Sequence, residues 1–286
     1  MGADEYRGDQ AAPQVAFQGE RGAYGEEAVV AYFGAQVVPV PKKSFAEAFD
    51  AVVSRETDAG LLPIENSQAG SVHDVYDLLR SGQLFVNGEI CRPVNHCLLC
   101  LPGQTLGQIK RVLSHPQALA QSDAYLRGLG VEVVAAYDTA GSAKLIREQE
   151  LYGVAAVASA RAAELYQLEI LASGIQTVKD NYTRFIKVER EPGPAPSGQA
   201  KTMLMLATTH TPGALYHVLG EFAARDINLL KLESRPSREK PWEYVFYLDI
   251  EGAPQQEPVA QALAALKRKT TFLQVLGAFP RDPAFG

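Results

Sequence analysis

Long hydrophobic runs, a disulfide framework and a basic surplus are all missing from this sequence. No stretch approaches the roughly 18 apolar residues that a membrane-spanning helix requires. Three cysteines (Cys91, Cys97 and Cys100) in 286 residues are too few for a disulfide scaffold. Cys97 and Cys100 spell C-x-x-C, but VNHCLLCL is apolar and strand-like. It lacks the turn into a helix N-terminus that activates such thiols, so both are expected as buried strand cysteines. His96 beside them brings no fourth zinc ligand, and no metal is expected. The net charge of −6 speaks against a general nucleic-acid or anionic-membrane binder, since either needs a basic face. The start, MGADEYRGDQAAPQ, has neither a basic n-region nor an apolar h-region. Residues 1–13 therefore read as a disordered tail rather than a signal peptide, and the cytoplasm is the expected location. Also missing are the G-x-G-x-x-G fingerprint of a dinucleotide site and the G-x-S-x-G elbow of a hydrolase.

What is present is an ordinary globular composition, 47% hydrophobic and 21% charged, in a chain long enough for two or three domains. Up to about residue 190, short β-rich runs alternate with helical periodicity, which predicts α/β layers around mostly parallel strands. Strands are expected at Val15-Ala16-Phe17, Val37 to Val40 and Ala59 to Ile64, with Ser44 and Glu47 forming a capping box between the last two. The pattern restarts near Asn95 with NHCLLCL and runs through Val112-Leu113-Ser114, VEVVAAY and VAAVAS to a last strand over Asn181 to Val188. Two lobes are the economical arrangement, and small ligands favour the clefts between lobes. The proline- and glycine-rich stretch at 191–200 is a linker. Beyond it, 201–286 reads as βαββαβ, a ferredoxin-like split-βαβ unit with WEYVFYLDIEG as its third strand.

Polar residues gather in four places where loops meet helices or strands, the usual position of sites in α/β proteins. Gly19-Glu20-Arg21-Gly22-Ala23-Tyr24-Gly25 precedes a helix, whose amides could cradle a carboxylate, or it is simply a tight glycine turn. In Pro63 to Ser71, the neutral donors Asn66, Ser67 and Ser71 suit carboxylate oxygens, although turn and cap chemistry would use the same residues. Ser114-His115-Pro116-Gln117 offers Ser114 as a helix cap, with Gln117 and Gln121 on one face. In Asp180 to Phe185 the period of two puts Thr183 and Phe185 on one strand face and Arg184 on the other. A plain surface strand would also tolerate this set.

Together, FQGERGAYGEEA, LLPIENSQAGSVHDVYDLL, NHCLL, SHPQALAQ, DTAGSAK and DNYTRF resemble the prephenate dehydratase family, which includes the arogenate dehydratases. GALYHVL and ESRP resemble the phenylalanine-binding motifs of that family's ACT domain. The resemblance implies a two-subdomain α/β catalytic body like a type II periplasmic binding protein, over 14–190. One subdomain would take 14–94 and 182–190, the other 95–181, with the ACT domain at 201–286. It implies decarboxylative dehydration of prephenate to phenylpyruvate, or of arogenate to phenylalanine, with no cofactor. Thr183 would be the catalytic hydroxyl, with Arg184 and Phe185 beside it. Asn66, Ser67, Ser71, Ser114 and Gln121 would line the substrate, and Arg21 or Arg184 would hold its side-chain carboxylate. Gly213, Ala214, Leu215, Glu233, Ser234, Arg235 and Pro236 would bind phenylalanine as effector, in a homodimer or homotetramer. The loop from Val94 to His96 is the expected neighbourhood of keto-versus-amino preference. A non-catalytic amino-acid sensor is the competing reading, and a dinucleotide-dependent dehydrogenase a weaker one.

Overall fold

The computed structural model describes residues 12–237 and 244–285; the expected tail up to Ala11, and Trp242 and Glu243 of the expected WEYVFYLDIEG strand, lie outside the described residues. In chain order the first elements are β1 (Gln14–Gln18), α1 (Tyr24–Phe33), β2 (Val38–Lys42), α2 (Phe45–Val53), β3 (Ala59–Asn66), β4 (Gly70–Ser71) and α3 (His73–Leu79). Next come β5 (Phe85–Pro93), β6 (Cys97–Cys100), β7 (Arg111–Ser114), α4 (Pro116–Gln121), α5 (Asp123–Leu129), β8 (Glu132–Ala135) and α6 (Thr139–Glu148). Then follow β9 (Val154–Ala158), α7 (Ala160–Leu165), β10 (Glu169–Ser173) and β11 (Tyr182–Glu189). The C-terminal part holds β12 (Ala200–Ala207), α8 (Ala214–Ala223), β13 (Leu229–Pro236), β14 (Tyr244–Glu251), α9 (Glu257–Leu266) and β15 (Phe272–Pro280).

The chain divides into two compact units. One runs to Leu61 and resumes over Val94–Asp180; the other joins Leu62–Pro93 to the residues from Asn181 onward. In the first unit, β1 lies between β2 and β3, all parallel. Its other sheet has the order β10-β6-β9-β7-β8. There β7 runs parallel to β8 and β9, while β6 is antiparallel to β9 and to β10. The sheet is thus mixed where mostly parallel strands were expected: β6 runs antiparallel to both of its neighbours. Leu98, Cys100, Val112, Leu119, Leu126 and Val157 form its core. The cysteines are buried and unpaired, and burial pushes the Cys100 thiol up to about 11.

In the second unit the remainder of β3 neighbours β11, and β11 pairs antiparallel with β5. The C-terminal sheet, β13-β14-β12-β15, is antiparallel throughout, as βαββαβ connectivity demands. Leu204, Leu206, Leu248 and Ile250 face α8 and α9, packing on Val218, Phe222, Val259 and Leu266. By the period of two, Lys201, Met203, Met205, Tyr247 and Asp249 point to the other face, and all five are buried. Tyr247 packs its ring edge-on to Tyr76 of α3, centroids 4.7 Å apart, and donates its hydroxyl to the Tyr76 carbonyl at 2.9 Å. β15 lies so close to β5 that a Cβ at Gly277 would sit 1.8 Å from the Val86 carbonyl oxygen. Only glycine permits that approach.

Candidate active site

In the second unit the end of β3 meets the start of β11. The Asn66 side chain accepts from the amides of Gln68 and Ala69 at 3.0 and 2.9 Å, which fixes which end of its amide is oxygen. The nitrogen end therefore faces β11, donating to Asn181 Oδ1 at 2.8 Å, Tyr182 O at 3.0 Å and Thr183 Oγ1 at 3.0 Å. Ser67 completes the join: its N–H donates to Tyr182 O at 2.9 Å, and its Oγ accepts from Tyr182 N at 3.0 Å. A hydroxyl that accepts from an amide cannot also donate to it. Asn66 thus turns the Thr183 O–H bond away from itself, leaving Thr183 half-buried with its proton directed elsewhere. Phe185, on the same strand face, is 3% exposed.

Arg184 does not serve as an open cation for substrate. Its side chain is buried, with Glu89 at 2.7 Å, Glu65 at 2.9 Å and Asp249 at 2.6 Å. Burial opposes its charge, but the three carboxylates outweigh that and hold the guanidinium protonated. Ser71, expected to line the substrate, donates to Glu233 at 2.6 Å and accepts from Lys231 at 3.2 Å. The ESRP motif splits by the strand period. Glu233 and Arg235 turn inward, Arg235 pairing with Asp77 at 3.0 Å, while Ser234 and Pro236 are exposed. Within the protein, then, Glu233 and Arg235 have side-chain partners, and Ser234 and Pro236 face outward. Gly213, at φ 79°, opens α8 with no side-chain cap; Ala214 and Leu215 follow it half-buried.

In the first unit, the loop before α1 is filled by its own acid. The Gly22 amide donates to the Glu26 carboxylate, which is 1% exposed, so a substrate carboxylate is not what that amide cradles. Ser159 Oγ donates to Gly22 O at 2.7 Å and Tyr166 to Arg21 O at 2.8 Å. The Arg21 guanidinium stays more than half exposed, with Glu26 at 3.4 Å. Glu20 accepts from Tyr137 and Lys144, both at 3.0 Å; burial raises its pKa, and these partners more than reverse that. Ser114 is buried and donates to Val157 O at 2.6 Å. The cap of α4 is His115, which accepts from Gln117 N at 3.2 Å, and not Ser114.

Gln121 sits at the end of a chain that the motif argument missed. Its Oε1 lies 2.8 Å from His96 Nε2, and His96 Nδ1 lies 2.8 Å from the Tyr24 hydroxyl. Burial holds His96 below its ordinary pKa and Tyr24 well above its own, so the imidazole is neutral and the phenol protonated. A phenol donating to Nδ1 places the imidazole proton on Nε2, where it donates to Gln121 Oε1. The amide nitrogen of Gln121 is then turned from the imidazole as a donor. The signal for this was the burial of an isolated histidine inside an apolar strand start. Among the described residues, no group of three or more His, Cys, Asp or Glu side chains is placed to hold a metal, and no helix is long and apolar enough to cross a membrane.

A family model for prephenate dehydratase matches residues 15–193, and one for the ACT domain matches 202–268. An arogenate dehydratase/prephenate dehydratase of Arabidopsis thaliana, a chloroplastic protein, is 43% identical over 94% of this chain and 69% of its own length. A solved structure described as a novel type of quorum-quenching acylase, GqqA, aligns at 37% identity with a TM-score of 0.88, covering 95% of this chain and 99% of that one. Prephenate dehydratase of Arthrobacter aurescens, solved in complex with L-Phe, aligns at 32% identity with a TM-score of 0.86, covering 94% and 90%. Six motifs in order, an α/β body followed by a βαββαβ domain, and these likenesses converge: the chain belongs to the prephenate dehydratase family and carries a C-terminal ACT domain.

Proposed function

We propose that the protein is a carbon–oxygen lyase that converts prephenate to phenylpyruvate, with residues 14–190 as the catalytic domain and 201–286 as the regulatory domain. The observation that carries this is the orientation of Thr183 by Asn66. In the reaction the bond from the ring carbon to its carboxylate breaks and CO2 departs. That electron pair enters the ring, the C4–O bond breaks, and the ring becomes aromatic. The leaving oxygen needs a hydrogen bond and finally a proton to depart as water. Thr183, accepting from Asn66 and donating outward, supplies the hydrogen bond and relays a solvent proton. Such assistance contributes about 10²–10⁴-fold. Because aromaticity drives the step, the chemistry asks the protein for positioning and for desolvation of the ring carboxylate, to which the buried Phe185 ring suits the site. Gln121 and Ser67 are assigned to substrate oxygens, and the exposed Arg21 to the side-chain carboxylate.

Arogenate is the second reading, favoured by the names of the plant relatives; the ring chemistry is the same, and only the side chain differs. Phenylalanine is assigned to the opening of α8 and the outward half of β13, with a homodimer or tetramer formed through the C-terminal domains. An edge strand whose outward residues include Leu232, 44% exposed, supports that pairing. The cytoplasm is the assigned location, consistent with three unpaired thiols. The test is turnover of purified protein on prephenate and on arogenate separately, with phenylpyruvate and phenylalanine followed by chromatography. The ratio of kcat/KM values names the substrate. No product from either, with phenylalanine binding intact, overturns the enzyme reading in favour of a sensor.

A further inference from the structure

The residues that precede and follow the site pair in sequence form a second pair on the opposite face of the sheet. Asn66 touches Thr183 on one face; on the other, Glu65 touches Arg184 at 2.9 Å. Neighbours along a strand point to opposite faces, so the two contacts are mechanically joined: any shift of β3 against β11 changes both. The rear pair does not stand alone. Arg184 also holds Glu89 of β5 at 2.7 Å and Asp249 of β14 at 2.6 Å. Lys201 of β12 reaches Glu89 at 2.8 Å, and Lys231 of β13 pairs with Glu65. Three cations thus meet three carboxylates. Three of the six side chains, Lys201, Lys231 and Asp249, come from the C-terminal sheet.

Surface ion pairs hold little in place, but buried ones with several hydrogen bonds impose a geometry, because any departure leaves a charge unpaired in a low dielectric. Arg184 and Lys201 expose 3% and 5% of their side chains, and Glu89 none. Burial alone would raise the Glu65 pKa; Lys231 and Arg184 outweigh it, so this carboxylate stays charged. The guanidinium fork can meet Glu65, Glu89 and Asp249 together only at one setting of β11.

We infer that Glu65 and Arg184 are positioning residues for the Asn66–Thr183 pair, and that Asp249 and Lys231 of the C-terminal sheet hold them in register. The C-terminal domain is then part of the catalytic architecture with no effector bound. This rests on Thr183 being the catalytic hydroxyl.

The experiment compares Asp249→Asn, which removes the charge at constant shape, with wild type, in full-length protein without phenylalanine. Expected is a fall in kcat of about tenfold with KM within about twofold, the signature of misplacing a group that acts after binding. In a Thr183→Ala background the same change should have no further effect on residual turnover, since its only route is through that hydroxyl. Lys269→Gln, which breaks the exposed pair with Glu221 in the same domain, should leave kcat unchanged. Lys231→Met covers the case in which Asp249→Asn does not fold, because the Lys231 side chain is partly open to solvent; a kcat lowered about threefold is expected. A folded Asp249→Asn or Lys231→Met protein with wild-type kcat overturns the inference, as does additivity with Thr183→Ala. Wild-type protein without turnover sinks the dehydratase reading instead, so the two failures are told apart.

Discussion

The loop before α1 and the loop after β3 look alike as sequences, glycine-bearing and polar at the start of a helix or turn, yet they use their donors in opposite ways. In the first, the Gly22 amide is consumed by Glu26 from the next turn of the chain, and the loop becomes a closed, self-neutralised corner. In the second, the backbone amides of Gln68 and Ala69 go to the Asn66 carbonyl, and that expenditure aims the other end of the same side chain at Thr183. An array of donors is therefore a ligand site only where no internal acceptor has claimed it. Where one has, the question is what the acceptor's remaining atoms are made to do.

The comparison breaks most sharply at Thr183. Thr183→Ala should lower kcat about 10³-fold while KM changes little, measured as initial rates of product formation. Asn66→Asp keeps the acceptor for Gln68 and Ala69 but replaces the donor facing Thr183 with an oxygen that would draw the threonine proton inward. A loss of about 10²-fold in kcat of the folded protein is expected, together with a lower melting temperature, because the same oxygen would also face Asn181 Oδ1 and Tyr182 O. In the closed loop the effect should fall on stability instead. Glu26→Ala leaves the Gly22 amide unsatisfied and should cost about 2 kcal/mol in urea unfolding, with turnover of the folded protein within a few-fold.

The smallest effect concerns His96. Burial holds its folded pKa below the unfolded value of roughly 6.5, so its contribution is complete above that pH and is lost as pH falls through the folded value. The urea midpoint of wild type should therefore drop between about pH 7.5 and 5.5 by more than that of His96→Asn. Equal drops in the two proteins would show that folding does not shift the His96 pKa.

Much of the fold was legible because apolar periodicity and turn chemistry report local structure directly. β1, β3, β6 and β9 fall where the β-rich runs placed them, and Ser44 caps α2 by accepting from Glu47 N. The strand β5 was not legible. Asn87-Gly88-Glu89 interrupts it with residues that read as a turn, and its polar members are satisfied only by distant partners: Asn87 by Glu189, Glu89 by Arg184 and Lys201. β10 escaped for a similar reason, being short and largely exposed. Motifs, which keep residue types and order together, singled out Asn66 and Thr183, and the structure brings the two within hydrogen-bond distance. The period of two put Arg184 on the far strand face, but nothing local could say that carboxylates enclose it there, or that Glu233 is answered by Ser71, since both depend on pairings between distant strands or on burial. His96 shows the converse: nothing in its neighbours in the chain announces Tyr24, 72 residues earlier.

The near-contact of Gly277 with Val86 bears on how this protein could be cut or recombined. The proline-rich stretch invites division there, and one family match ends inside it while the next begins just past it. The molecule has no seam at that point. A body ending near residue 193 would open the Val86 strand to solvent on the side now covered by β15, and would leave Glu65 and Glu89 with Arg184 as the one remaining cation of six interlocked charges. The linker thus separates two inherited modules without separating two independent parts. A chimaera that keeps both will need to carry the glycine and the charge register across with the domain that brings them.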